Sequence, residues 1–231
     1  MFDHVTIRVS DRALSERFYE TVLPVIGLAR THSDEHYAEW VDFSLGQATE
    51  DKPVTRRLHI GFTAPSRRHV DDFWRAGTDA GLRDDGAPGP RPQYSDSYYG
   101  AFLLDPDGNS VEAVHHDAVH PRGCIDHLWM RVADVAAAKG FYETVAPCTG
   151  FELRVDTPTR ASFRGPGAGF SLVPGPPTEH AHVAFPAREN ETVEEFHRAA
   201  TAAGYGDNGA PGERAVYHAG YYGAYVLDPD S

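Results

Sequence analysis

Cysteine is nearly absent from this 231-residue chain: Cys124 and Cys148 are the only two. A disulfide scaffold is excluded, and a reducing, cytoplasmic setting is expected. Long apolar runs are missing as well. No stretch approaches the roughly 18 residues that a membrane span requires, and the opening MFDHVTIRVSDR lacks the basic and apolar regions of a secretion signal. Positive charge is scarce, with 21 Lys and Arg against 34 Asp and Glu, for a formal net charge of −13. Nucleic acid and anionic membrane both need a basic surface, so neither is an expected partner. What is left is an ordinary globular composition, 41% hydrophobic and 24% charged, with a length that suits one large domain or two modest ones. Thirteen histidines make their positions worth following.

The chain repeats itself at a constant offset of 123 residues. Asp3-His4 falls on Asp126-His127, and Phe18-Tyr19-Glu20-Thr21-Val22 on Phe141-Tyr142-Glu143-Thr144-Val145. His59 falls on His182, Gly86-Ala87-Pro88-Gly89 on Gly209-Ala210-Pro211-Gly212, and Tyr98-Tyr99-Gly100-Ala101 on Tyr221-Tyr222-Gly223-Ala224. Identity is roughly 40% over the overlap, which marks two homologous domains, 1–117 and 122–231, joined near 118–121. Each domain has an inner rhythm. Val5 to Val9 alternates like a strand. Ser10 or Asp11 can cap a helix that buries Leu14, Phe18 and Val22 and stops near Pro24 and Gly27. Residues 37–47 read as one or two strands. The pattern restarts at His59, with a strand, a helix that turns Val70, Phe73 and Trp74 inward, a Gly/Pro-rich loop over 86–92, a strand over 99–104, and a return over 110–115. Asp105-Pro106-Asp107-Gly108-Asn109 is a strong turn between the last two. The unit is β-α-β-β-β, four times per chain, with the last copy short of its final strand.

This order resembles the vicinal oxygen chelate superfamily, which includes glyoxalase I, extradiol dioxygenases, fosfomycin-resistance enzymes and bleomycin-resistance proteins. Asp3-His4-Val5 with Phe18-Tyr19, the His59-Ile60-Gly61-Phe62 strand, and Asp105-Pro106-Asp107-Gly108-Asn109 leading into Val111-Glu112-Ala113-Val114 carry the resemblance. It implies an α+β fold in which paired βαβββ units form two cupped, half-open mixed β-barrels with helices outside. It also implies a divalent ion (Fe, Mn, Zn or Ni), one per complete site, with ligands on the first strand of each unit and the last strand of the second. Carried over, those positions are His4, His59 and Glu112, at spacings of 55 and 53 residues. Two imidazoles and a carboxylate form a facial triad with open positions for a bidentate oxygen substrate. Glyoxalase-type sites add a fourth ligand, for which Asp42 and Gln47 are the nearby polar residues.

The second repeat has His127 and His182 but reaches Ser231 before position 235, the counterpart of Glu112. These two histidines are therefore the weaker ligand candidates. The two domains are expected to differ in metal competence, with about one tight ion per chain. An unpaired sheet edge beside 222–226 leaves a homodimer open. Tyr98 and Tyr99 are candidates for catalytic hydrogen bonding or acid/base work, while Tyr94, Phe102 and Trp40 are candidates for the substrate wall. Arg91 (Arg214 in the second repeat) is a candidate for holding a substrate carboxylate through its planar fork, against a loop salt bridge. His115 and His116 read as exposed link residues, and the acids at 71–72 and 194–195 as solvated helix faces. The leading expectation is a glyoxalase-like metal-dependent lyase or isomerase, or a ring-cleaving dioxygenase, acting on a small oxygen-chelating molecule. The competing one is a non-catalytic binding module of the bleomycin-resistance type, with a drug-like ligand. A fold of this kind hosts many chemistries, so the site has to decide.

Overall fold

The computed structural model describes residues 2–116 and 123–230; the link expected at 118–121 lies outside them, as does Ser231. Four units follow one another. The first is β1 (His4–Val9), α1 (Arg12–Val22), β2 (His32–Ser33), β3 (Tyr37–Trp40) and β4 (Phe43–Gln47). The second is β5 (His59–Thr63), α2 (Arg67–Asp79), β6 (Arg83–Pro90), β7 (Tyr99–Leu104) and β8 (Ser110–His115). The third is β9 (Ile125–Val132), α3 (Val135–Thr149), β10 (Glu152–Thr157), β11 (Arg160–Gly165) and β12 (Ala168–Pro174). The fourth has β13 (His182–Ala184), α4 (Asn190–Ala202), β14 (Gly206–Glu213) and β15 (Tyr222–Leu227).

Local chemistry sets most of these bounds. Asp11 caps α1 by accepting from the Leu14 N–H at 2.9 Å, which satisfies one of the free donors of a helix start. The buried face of α1 is Ser15, Phe18, Tyr19 and Val22; Leu14, expected on it, is exposed. The Gly/Pro-rich stretch 86–92 was expected as a loop, yet most of it belongs to β6. That strand lies at the edge of its sheet, and its register against β7 shifts twice, between Asp84 and Gly86 and between Gly86 and Gly89. An edge strand with bulges tolerates Pro, because the missing N–H faces away from the ladder. In the turn after β7, Asn109 donates its N–H to Asp105 Oδ1 at 2.8 Å. The Asn109 side chain accepts from Leu58 N–H and donates to the Thr55 carbonyl, both at 3.1 Å. One buried amide thus ties the start of β8 to the entry of β5.

The strands form a five-stranded sheet in the order β13-β1-β4-β3-β2, an eight-stranded sheet in the order β10-β11-β12-β9-β5-β8-β7-β6, and a β14-β15 pair. The architecture is mixed α+β, with curled sheets and helices packed on their outer faces. Its connectivity corrects one expectation from the sequence. The two units of one repeat were expected to pair and share a cup. Instead β5 pairs antiparallel with β9, and β1 antiparallel with β13. The second unit therefore joins the third, and the first joins the fourth. The reason lies in the edges: in the units of β1, β5 and β9 the first strand holds the last one parallel on one side, and only the other side is free to take a first strand from elsewhere. Among the described residues no helix is long and apolar enough to cross a membrane.

Because each large sheet contains strands from both repeats, residues 1–116 and 123–230 should assemble as a one-to-one pair when expressed as separate polypeptides. Size exclusion with light scattering would check this. A stable folded monomer of either half would contradict the topology.

Candidate metal centre

Three side chains meet on neighbouring strands of the eight-stranded sheet: His59 on β5, Glu112 on β8 and His127 on β9. His59 Nε2 lies 3.0 Å from Glu112 Oε2 and 3.2 Å from His127 Nε2, and His127 Nε2 lies 3.3 Å from the same Oε2. Glu112 and His127 are buried and His59 is half-buried. Register explains the meeting. Gly61 is the direct neighbour of Glu112 on one side and of His127 on the other. It has no side chain, and a Cβ there would come within 2.5 Å of His127 Cε1. Gly100 on β7 clears the other side, since a Cβ there would run into the Glu112 carboxylate.

A second layer holds the three donors. Pairing of β5 with β9 passes from Gly61–His127 to Phe62–Ile125, so Asp126 is an extra residue in β9, a bulge. It leaves Asp126 Oδ2 2.7 Å from His127 Nδ1. Ser110 Oγ donates to Asp85 Oδ2 at 2.7 Å and so accepts from His59 Nδ1 at 3.0 Å. In its neutral form His59 then carries its proton on Nδ1, and both histidines turn Nε2 toward the centre. Tyr98 donates to Glu112 Oε1 at 2.7 Å. Burial and the Glu112 charge raise the Tyr98 pKa well above the phenol range, so it stays a donor. Burial opposes ionisation of Glu112, but the His127 and His59 imidazoles beside it outweigh that and hold it at about 2. Burial would likewise lower His127, but its bonds to Asp126 and Glu112 raise it to about 9.

This donor set suits a divalent ion. Two imidazoles and a carboxylate are borderline-to-hard ligands, and their mutual spacing is the edge expected between adjacent ligands around one ion with bonds of roughly 2.1 Å. The position on β12 that corresponds to Glu112 carries Ser171: it is the neighbour of the residue two past His127, as Glu112 is the neighbour of the residue two past His59. Among the described residues three side chains, rather than four, could serve as ligands here. Asp42 and Gln47 do not supply another. Asp42 Oδ1 accepts from the Cys124 N–H at 2.7 Å, and Gln47 binds the Arg12 N–H and the Val9 carbonyl.

Several expected positions are corrected. His4 does not join His59 and Glu112. It lies on β1 in the other sheet, where its Nε2 is 3.2 Å from His182 Nε2, and it bonds Asp3 at 2.8 Å. The cross-repeat pairing of β1 with β13 puts it there, and the pairing of β5 with β9 makes His127, the weaker candidate, the third member. Tyr99 faces outward and donates to Asp71 on α2 at 2.8 Å, since adjacent strand residues point to opposite faces. Asp71 is thus a partner of the sheet and only half-buried, whereas Glu194, which accepts from Tyr222, is exposed as expected. Trp40 is fully buried in the core against Tyr19 and Phe43. Phe102, opposite Glu112, and Tyr94, 5.0 Å from the Tyr98 ring, do lie around the centre. Arg91 stacks over Phe102 at 5.3 Å. His116 is half-buried and 3.4 Å from Asp126 rather than free on a link. Sequence reading missed Asp126, Ser110, Ser171 and Trp129 as site residues. The repeated Asp-His dipeptide was the one signal that pointed to the first.

A profile for the Glyoxalase/Bleomycin resistance protein/Dioxygenase superfamily matches residues 1–113 and again 124–231. No functionally curated protein matches the chain. Among solved structures, glyoxalase I from Zea mays is 20% identical, with a TM-score of 0.68 over 99% of this chain and 89% of that one; at this identity the likeness is one of fold. A glyoxalase/bleomycin resistance protein from Albidiferax ferrireducens T118 is 29% identical over 50% of this chain and 99% of its own, with a TM-score of 0.46.

The buried pair predicts a pH signature in metal-free protein. The folded-state pKa of His127 lies above its ordinary 6.5, so its contribution is fully present below about pH 6.5 and is lost as pH rises through about 9. Glu112 is depressed from 4.5, so its contribution is present above about pH 4.5 and is lost as pH falls through about 2. Melting temperatures of chelator-treated protein should fall between pH 6.5 and 9. Glu112→Gln should weaken that slope and cost about 3–5 kcal/mol, the usual cost of breaking a buried pair. Gly61→Ala should displace the His127 ring and lower metal affinity by about 10–100-fold, as loss of ligand support does, which isothermal titration would measure.

Proposed function

The chain belongs to the Glyoxalase/Bleomycin resistance protein/Dioxygenase superfamily, and from that premise we propose that it is a divalent-metal-dependent enzyme acting on a small oxygen-chelating molecule, with His59, Glu112 and His127 as the ligands. One observation carries this reading: three donor atoms from three adjacent strands converge within 3.3 Å, each backed by its own hydrogen-bonding partner. A buried carboxylate with two imidazoles against it is costly to keep as a structural device, because hydrophobic packing of the same volume serves stability as well or better. An ion held by these three residues would supply Lewis acidity to two vicinal oxygens at the positions the protein leaves free.

The residues of the chain divide the remaining work. Asp126 and Ser110 fix the two rings. Tyr98 holds Glu112 by one oxygen and leaves the other for the centre. Its single phenolic proton is engaged by that carboxylate, so we assign Tyr98 the positioning of Glu112 rather than proton transfer. Tyr94 and Phe102 contribute the wall. Between reaction types, the two-histidine, one-carboxylate set is that of non-haem iron oxygenases, and Ser171 stands where a fourth carboxylate ligand would be needed. Ring-cleaving dioxygenation is thereby favoured over the lyase or isomerase reading. A drug-binding module of the bleomycin-resistance type is the alternative, and it has no need of the buried donor set. The free thiols of Cys124 and Cys148 fit the reducing cytoplasm.

Metal analysis of protein purified without added metal tests the proposal. Wild type and His4→Ala should hold about one ion per chain, while His59→Ala, Glu112→Ala and His127→Ala should each lose it or bind at least about tenfold more weakly. Metal content unaffected by Glu112→Ala, or abolished by His4→Ala, would sink the assignment.

A further inference from the structure

Beside the centre, on β11, stands Arg160. A row of residues crosses the sheet from β5 to β11: His59, Trp129, Ser171 and Ser162, each the direct strand neighbour of the next. Arg160 lies two residues before Ser162 on β11, on the same face. Its guanidinium is fixed twice. Nε donates to Ser162 Oγ at 2.8 Å, with Ser162 in turn bonded to Ser171 at 2.8 Å, and Cζ lies 4.9 Å over the Trp129 ring. Among the described residues neither terminal amino group of Arg160 has a hydrogen-bond or ion-pair partner. The Tyr94 ring stands 5.9 Å from Trp129, edge to face. A half-buried fork, anchored through Nε and stacked on indole with both terminal amines free, is preorganised for a carboxylate.

Comparison of the repeats separates site from scaffold. Arg91 has a counterpart, Arg214, and the two behave alike. Each binds a carbonyl of the edge strand just before it, Ala87 on β6 at 2.8 Å and Ala210 on β14 at 2.6 Å, and each stacks on a ring, Phe102 at 5.3 Å and Tyr225 at 5.6 Å. Arg91 is a strand-end clasp common to both units. Arg160 has no such counterpart: at the same offset stand Tyr37 in place of Arg160 and Thr6 in place of Trp129, and Thr6 simply bonds Ser44 at 2.7 Å. The Arg160–Trp129 pair occurs beside the His59–Glu112–His127 cluster and not beside His4 and His182. In a chain with net charge −13 an anion finds no general attraction, so any that enters this cup has to be held by a local cation.

We infer that Arg160, stacked on Trp129, binds the carboxylate of an aromatic oxygen-chelating acid whose vicinal oxygens face the His59–Glu112–His127 centre. The rings of Trp129, Tyr94 and Phe102 supply the surfaces for a planar substrate. The chelating half of this statement rests on the metal-centre proposal; the carboxylate half rests on Arg160 alone. Calorimetric titration separates them. With metal-loaded protein the probes are 3,4-dihydroxybenzoate and its neutral analogue 3,4-dihydroxybenzamide. With metal-free protein they are benzoate and benzamide. Wild type should bind the dihydroxy acid about tenfold more tightly than the amide, as expected for one charge-assisted pair. Arg160→Gln should remove that ratio while leaving affinity for the amide within about twofold, and Arg160→Lys, which keeps charge but not the fork, should restore part of it. Melting curves should match wild type within a few degrees. A ratio near one in wild type, or a preference for the acid that survives Arg160→Gln, would overturn the inference. If the protein takes up no metal, the metal-centre proposal falls and the metal-free arm decides: benzoate binding lost in Arg160→Gln upholds the carboxylate site, and benzoate binding that is absent or unchanged refutes it.

Discussion

The antiparallel pairing of β5 with β9 is the constraint on which the centre depends. It sets His127 across from Gly61, whose neighbour on the other side, through the pairing of β5 with β8, is Glu112. The same pairing leaves β1 to take β13, so that His4 meets His182 instead. Gly61 is part of the constraint, since a β-carbon there would occupy the space that the His127 ring fills. A one-residue bulge at Asp126 completes it by adding a carboxylate beside the imidazole without a change of strand.

Burying a carboxylate and two imidazoles in a sheet is favourable only if every polar atom has a partner. The structure meets that condition by distributing partners over several elements. Tyr98 precedes β7, Ser110 opens β8 under the reach of Asp85 on β6, and Asp126 shares β9 with His127. The network keeps the ligands in one geometry while the ionic state of the pair, an anionic Glu112 and a cationic His127 in the metal-free protein, holds off the cost of burial. A divalent ion would take the place of that proton, which couples metal uptake to proton release.

Duplication gives the molecule an internal control. Features found in both copies, such as the arginine that clasps its Gly-Ala-Pro-Gly segment, the helix-capping aspartates Asp11 and Asp134, and the outward tyrosines held by Asp71 and Glu194, belong to the scaffold. Features confined to one cup are what the scaffold has been adapted to carry. By that criterion Trp129 and Arg160, which Thr6 and Tyr37 replace in the other copy, belong with the centre. Around His4 and His182, burial and the neighbouring His4 hold the His182 imidazole down at about 4.

By itself the sequence determined the repeat, the βαβββ unit, the turns, and the residue types of the centre. Local periodicity, capping and turn chemistry are properties of short stretches, and a duplicated stretch declares itself by identity. His59, Glu112 and the Asp-His dipeptides were legible for the same reason, as polar residues at equivalent strand positions. Which dipeptide joins His59 was decided only in three dimensions. Either first strand can pair with β5 by local pattern alone, and the choice falls to edge pairing between segments about 65 residues apart in one case and about 55 in the other, where strand periodicity carries no information. The faces of Tyr98 and Tyr99, the burial of Trp40, the strand character of 83–90 and the fork at Arg160 were decided in the same way. Each depends on which strand lies alongside, a non-local contact that no window of sequence contains.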